Sequence, residues 1–460
     1  MLRGTTKERA SATIGRHFAA TDIASLPPAT VAATRRALLD AYGVMLAATG
    51  LAPDTAPFRA RVIADGGRAE ARILGSDARV PATAAAFANG ALGHALDFGD
   101  TFDAGPAHPN AALVPALLAL ADADPTIDGG QLIAAMALGS DLACRISLAP
   151  ARPYEEGGWY PPPFGGMIGA AAACAKLIGL DADGIVQAIG LALCQASFPG
   201  EIKYDPDTRL RGLREAFAAR SAVSAALLAR DGVRGFAAPL EGKGGFFALH
   251  GGGMREDVLL ADLGTRFLGD QVSFKPWPSC RGTHAYIEAA LALRERIGTR
   301  EIAVIEAETG PIQEMLIAPL PAKAAPASAI DAKFSIPFTT AAALVHGAVT
   351  IDSFGPESLA DREVLAIAAR VVARANPSWG RAEAASGGLT IELADGERLS
   401  ASVPQAAGHP DRPMSEADLI AKFTTCAARA AQPIDLVRAQ TIAAAILSLG
   451  PNVSAASIGA

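Results

Sequence analysis

Between Asn89 and Asn110, in NGALGHALDFGDTFDAGPAHPN, six groups able to move protons or hold charge crowd together: His94, Asp97, Asp100, Thr101, Asp103 and His108. An apolar helical pattern runs into them and breaks, because Gly105-Pro106 and Pro109 cannot continue a helix. A loop beside packed helices lets such side chains converge, so this segment is the first candidate site. His108, set between Ala107 and Pro109, is held outside a helix and is a candidate acid or base. Asp97, Asp100 and Asp103 stand at i, i+3 and i+6. They could hold Mg²⁺ through carboxylate oxygens, or be solvated acids at a helix end. His94, three residues before Asp97, can touch it or serve as a core residue. Asp97-Phe98-Gly99 matches the kinase triplet, but neither a glycine-rich loop with its lysine strand nor an HRD motif precedes it, which excludes a kinase.

A second constellation is SFKPWPSCRGTH, Ser273 to His284. Pro276 and Pro278 predict a stiff extended segment carrying Lys275, Cys280, Arg281 and His284 into a helix that starts near Thr283. A lysine there can serve as a base at neutral pH if desolvation or a nearby cation lowers its pKa, or it can anchor a carboxylate. Two more segments join helices: YEEGGWYPPPFGG from Tyr154, and KYDPDTRLRGLR from Lys203 to Arg214. The latter gathers Lys203, Arg209, Arg211 and Arg214 in an otherwise acidic chain. Such a group suits a di- or tricarboxylate through charge-assisted hydrogen bonds, or is a solvated basic helix start. Leu240 to Gly253 is glycine-rich but lacks Walker spacing and a preceding strand, which argues against phosphate binding.

The elements that must position these groups are mostly helical. With 460 residues the chain exceeds one usual core, so two or more domains are expected. Half the residues are apolar, only 5% are aromatic, and alanine is abundant, which favours closely packed helices. A net charge of -7 with no long Lys/Arg run argues against nucleic-acid and anionic-membrane partners and leaves a small substrate. Cys144, Cys174, Cys194, Cys280 and Cys426 show no C-x-x-C pairing, so neither a disulfide framework nor a structural zinc site is expected, and a reducing cytoplasm is. MLRGTTKERASATIGRHFAA lacks a signal-peptide core, and apolar stretches elsewhere are broken by charge, Gly or Pro short of a membrane span.

Apolar periodicity predicts helices over Ala29–Ala48, Ala82–Leu96, Ala111–Ala123, Gly130–Ala149, Gly166–Ile178, Ala182–Gln195 and Glu215–Arg230, an all-α half with Asp128 and Asp181 as caps or turn residues. After Gly264, Ile302–Thr309, Leu389–Leu393 and Leu399–Val403 read as strands, the last two around the hairpin signal Asp395-Gly396. Helical patterns at Thr283–Ile297, Ile336–Ala348 and Asp361–Arg374 alternate with them, and Ser415–Ala430 and Pro433–Leu449 close the chain. The predicted fold is mainly α: a large, discontinuous all-helical domain of residues 1–269 and 406–460, with an inserted smaller α+β domain of residues 270–405.

LLDAYGVMLA at 38–47, NGALGHALDFGDT at 89–101, GAAAACAKLIGL at 169–180, LEGKGGFF at 240–247, KPWPSCRGTH at 275–284 and DAKFSIPF at 331–338 follow one another along nearly the whole chain. In these motifs and their order the chain resembles the MmgE/PrpD family, which includes 2-methylcitrate dehydratase, cis-aconitate decarboxylase and iminodisuccinate epimerase. The resemblance implies a helical domain built from both chain ends, an inserted lid, a site in the cleft between them, and homodimers. It also implies chemistry without metal or cofactor: proton abstraction beside a carboxylate or carbonyl, then elimination, decarboxylation or reprotonation. Asp97, Thr101 and His108 carry over to the helical wall, and Lys275 and His284 to the lid. The chain departs from the family at Tyr160, where lyases have a histidine, and at Arg211, where they have a lysine. It departs again at Cys280, in place of a lid histidine, and at Phe338, in place of a tyrosine. These departures weigh against decarboxylation of cis-aconitate and weaken methylcitrate dehydration.

Three functions stay open. The first is a metal-free lyase, a dehydratase of a small polycarboxylate, with Lys275 and His108 as acid/base groups. Asp97 and Thr101 would orient them, and Arg211, Arg281, His284, Cys280 and Tyr154 would bind substrate. The second is a two-base epimerase using Tyr160 or Tyr154 with Lys275, one group removing a proton and the other returning it from the far side. The third is a non-catalytic paralogue that binds a carboxylate.

Overall fold

The computed structural model of the protein describes residues 9–205 and 207–458. Residues 1–8, part of the leader reading above, and Pro206 in the basic segment lie outside the described residues. The chain divides into two compact units, Met1–Val272 with Ser415–Ala460, and Ser273–Met414.

The first unit is a stack of helices, and its innermost pair shows how an alanine-rich sequence packs. Gly129–Leu148 and Pro162–Leu177 are buried along almost their whole length. A Cβ on Gly169 would lie 2.2 Å from the Gly139 carbonyl, so only glycine permits this backbone approach. Asp128 caps the first of these helices with a reciprocal bond to Gln131, and Asp181 caps Ala182–Leu193 through Gly184. Gly129–Leu148 is long and apolar enough to cross a membrane, contrary to the expectation that every apolar stretch falls short. Its two charges do not break it, because they meet inside the unit. Arg145 Nε lies 2.7 Å from Asp141 Oδ2, and the guanidinium also donates to the carbonyls of Leu259, Ala261 and Arg266. Here the sequence reading of an all-α half needs one amendment, a two-residue antiparallel ladder of strands β1 (Ala71–Arg72) and β2 (Arg79–Val80). The C-terminal helices Glu416–Ala428 and Leu436–Leu447 pack on Pro28–Leu51.

The second unit carries a four-stranded sheet in the order β4-β3-β5-β6, with β3 Ile302–Thr309, β4 Val371–Ala375, β5 Gly387–Leu393 and β6 Arg398–Val403. Gly396, at φ +88, makes the tight β5–β6 turn. The helix His284–Ile297 lies against β5 and β6 and also packs on Ile336–His346. The predicted helix Asp361–Arg374 is corrected: it ends at Ala368, and Val371–Ala375 instead pairs parallel to β3 as an edge strand. Its β-branched Val371-Val372 pair suits a strand. Only Val371 is buried there, so no inside–outside alternation announces it.

Candidate active site

The helix Ala82–Leu92 stops where Gly93 meets the next helix; a Cβ on Gly93 would sit 2.1 Å from the Ala111 carbonyl. The chain then folds back through Asp97, which takes φ +49, a left-handed conformation that a non-glycine residue adopts at a cost. This turn brings Asp97 Oδ1 to 3.3 Å from His94 Nε2. His108 is the N-cap residue of Pro109–Ala123, with proline in the first helical turn. Its ring lies 4.3 Å from that of His94. His108 Nδ1 is 2.9 Å from the Asp100 carbonyl oxygen, which can only accept, so Nδ1 carries the proton and the basic nitrogen of the neutral ring is Nε2. Donor atoms of His94, Asp97 and His108 all fall within 4.8 Å of one another, a spacing that also suits a divalent cation.

Asp97, Asp100 and Thr101 are buried, which removes the reading of the first two as solvated acids; Asp103 is half-buried. Beneath the loop lies a charged layer contributed by both ends of the chain. Lys422 Nζ pairs with Asp40 Oδ1 at 2.6 Å, donates to the Phe98 carbonyl at 2.6 Å, and sits 3.9 Å over the Phe98 ring. Burial, then the charge of Asp40, pushes the Asp100 carboxyl up to about 7; a hydrogen bond from Asn110 and the charge of Lys422 oppose this. A carboxyl raised in the fold binds more protons folded than unfolded. Its contribution is therefore complete below the unfolded pKa of about 4 and is lost as pH rises through about 7. Asp100→Asn keeps an acceptor for Asn110 and should remove a stability slope of about 1.4 kcal/mol per pH unit across that window. Chemical unfolding of both proteins from pH 4.5 to 8 measures this. Equal slopes would show that Asp100 does not hold the proton.

A second wall of the same unit comes from the loops at 154–161 and 200–215. Tyr160 is buried, its amide bonded to Phe198 O at 2.8 Å, with Arg214 Cζ 4.9 Å from its ring centroid and Lys203 Nζ 6.0 Å away. Arg214 forms a buried ion pair with Glu215, and its Nη1 donates to the carbonyl of Arg211, which is itself half-buried. A Cβ on Gly166 would lie 3.7 Å from Glu215 Oε2 and 3.9 Å from His108 O, so Glu215 and the His108 backbone both border this glycine. Tyr154 sits in a different setting: its ring packs at a tilt against Phe164 and Phe246, and its hydroxyl donates to Ile146 O at 2.7 Å. Burial raises its phenol well above the usual range, whereas the Tyr160 ring lies beside cationic groups.

In the second unit, Lys275 and His284 are fully buried and Cys280 is half-buried. His284 Nε2 lies 3.2 Å from Ser279 O, and the ring meets Trp277 edge-on at 5.2 Å. The Arg281 guanidinium is anchored to backbone, Nη1 to Ala407 O at 2.7 Å and Nη2 to Ala406 O at 3.0 Å. These bonds stiffen the segment that holds Lys275. Lys333 Nζ does the same at Pro278 O, 2.8 Å away.

Sequence reasoning passed over Lys422, Asp40 and Glu215 and left His94 undecided. Two of them carried a signal. Lys422 falls in the stripe Leu419, Lys422, Phe423, Cys426 of an amphipathic helix, and Asp40 sits in the apolar LLDAYGVMLA, so each charge needed a buried partner.

Comparison with known proteins supplies the context. Residues 12–257 match the MmgE/PrpD N-terminal domain and residues 277–448 the MmgE/PrpD C-terminal domain. Cis-aconitate decarboxylase of Mus musculus is 29% identical over 365 residues, 77% of this chain and 73% of the relative. The Homo sapiens protein of the same name is 28% identical over 366 residues, 77% and 74% of the two chains. The cis-aconitate decarboxylase-like protein oryM of Aspergillus oryzae is 27% identical over 399 residues, 82% and 81%.

Proposed function

Because this chain belongs to the MmgE/PrpD family, we propose that it is a lyase of small di- or tricarboxylic acids that removes a proton beside a carboxylate and then expels water. The observation that carries the reading is the fixed tautomer of His108, whose Nδ1–H is held by the Asp100 carbonyl, leaving Nε2 as the base. His94 and Asp97 hold the neighbouring charge, and in this reading the buried Thr101 helps to orient the substrate. Lys275 of the second unit is the other acid/base group; its complete burial on a proline-stiffened segment keeps it in one place. The proton passes from carbon to His108, a carbon–carbon double bond forms, and the hydroxyl leaves as water after protonation by the second group. No metal or cofactor enters these steps. A homodimeric, cytoplasmic enzyme belongs to the same reading, and its free cysteines and acidic charge support the compartment.

A proton-NMR screen of hydroxy and polycarboxylic acids in D₂O tests the proposal. An alkene product supports it, and loss of CO₂ from cis-aconitate would place the chain with its named relatives instead. Exchange at a stereocentre without elimination would select the second reading, a two-base epimerase. That reading draws on Tyr160, a buried phenol whose ring centroid lies 4.9 Å from Arg214 Cζ and 6.0 Å from Lys203 Nζ.

The closeness of His94, Asp97 and His108 gives a further expected result. Dialysis against EDTA should leave turnover unchanged, whereas micromolar Zn²⁺ should inhibit by occupying the base. Turnover lost on chelation and restored by one divalent metal would reverse the assignment of the cluster.

A further inference from the structure

Arg214 and Glu215 are each 1% exposed, and no feature of the proposed reaction uses them. The guanidinium face is covered by the Tyr160 ring, and Nη1 is committed to the Arg211 carbonyl. Its remaining edge is Nε and Nη2, the fork that matches the two oxygens of a carboxylate. Among the described residues neither atom has a hydrogen-bond partner, and neither Glu215 oxygen has one. The 3.3 Å contact from Arg214 Nε to Glu215 Oε1 is an ion pair but is misaligned as a hydrogen bond. Burying four charged-group atoms without hydrogen bonds costs several times what a surface pair would, so the arrangement is not a device for stability. Glu215 Oε2 also borders Gly166, as the His108 backbone carbonyl does.

We propose that Arg214 and Glu215 form a substrate-recognition pair that selects a carboxylate bearing a neighbouring hydrogen-bond donor, a hydroxyl or an amino group. The ligand's carboxylate takes the Nε–Nη2 fork, and its donor group takes Glu215. Entry requires the Tyr160 ring to turn aside, and this residue follows the Gly157-Gly158 pair, with Gly158 at φ +77. The inference rests on the polycarboxylate reading above and narrows it to donor-bearing acids. Burial raises the Glu215 carboxyl against the opposing charge of Arg214, which agrees with a group that gains from a donor placed against it.

The test uses the full-length protein and matched acids: succinate against malate and aspartate, and tricarballylate against citrate, with binding measured by calorimetry. The wild type should prefer the donor-bearing member of at least one set by about tenfold or more. Malate against aspartate reports whether hydroxyl or amino is favoured. In Glu215→Gln the preference should shrink to within about threefold while succinate or tricarballylate binding is kept. Should that variant not fold, Glu215→Asp, which withdraws the carboxylate by one methylene, should weaken the preference in the same direction. Equal wild-type affinity within every set, no binding of any acid, or an undiminished preference in the variant overturns the proposal. Turnover is read separately. A preference abolished by Glu215→Gln in a protein that converts none of the acids would keep the recognition pair and sink the lyase.

Discussion

His108→Gln is expected to lower kcat by about 10²- to 10⁴-fold on the substrate found by the NMR screen, with KM changed less than about threefold. Glutamine keeps a donor near the Asp100 carbonyl and much of the ring's volume, but it cannot take a proton at neutral pH. His108 is a helix N-cap residue without a side-chain capping bond, so its replacement should leave the fold intact and the loss should fall on the chemical step. Asp97→Asn provides the contrast. It keeps the shape of the side chain while removing the charge 3.3 Å from His94 Nε2, and should cost less than loss of the base. A His108→Gln enzyme that retained more than about a tenth of wild-type turnover would move the proton to another group, with Lys275 next in line.

Why these residues could be nominated, while others could not, follows from what local sequence encodes. A proline after His108 and a run of apolar residues before His94 dictate that a helix ends and another begins, so the crowding of polar groups between them is legible. The left-handed turn at Asp97 is not, because an aspartate at φ +49 is imposed by its surroundings and no glycine marks it. Tyr154 and Tyr160 flank the same glycines and read alike in sequence; only folding shows that one phenol is spent on Ile146 O. Strand β4 escaped for a related reason. Four of its five residues are exposed, so the alternation that marks half-buried strands is missing, and its parallel partner lies more than sixty residues earlier in the chain. The anchorage of Arg281 in the proline-rich segment was equally hidden. Its partners are backbone carbonyls at Ala406 and Ala407, and a tertiary contact of that span has no local signature.

The largest expected effect on stability belongs to Lys422→Met, at about 3–5 kcal/mol. Methionine fills similar space, so the cost is electrostatic: Asp40, with its side chain fully buried, loses the ammonium 2.6 Å away, and the Phe98 carbonyl loses its donor. Asp100 stands close enough for the charge of Asp40 to raise its carboxyl and that of Lys422 to lower it, so removing this ammonium leaves two acids in mutual repulsion. The first unit should unfold earlier, with its thermal midpoint lowered on the order of 5–10 °C. The double variant Asp40→Asn, Lys422→Met separates charge from packing. With the partner neutralised, much of the loss should return, because an apolar replacement of a whole buried pair costs far less than breaking it. If the double variant were as unstable as the single one, the lysine would act through packing on the Phe98 ring, 3.9 Å below its Nζ. Activity gives a second readout. Lys422 grips the carbonyl next to the strained Asp97, so the variant should lose turnover even at temperatures where it is fully folded.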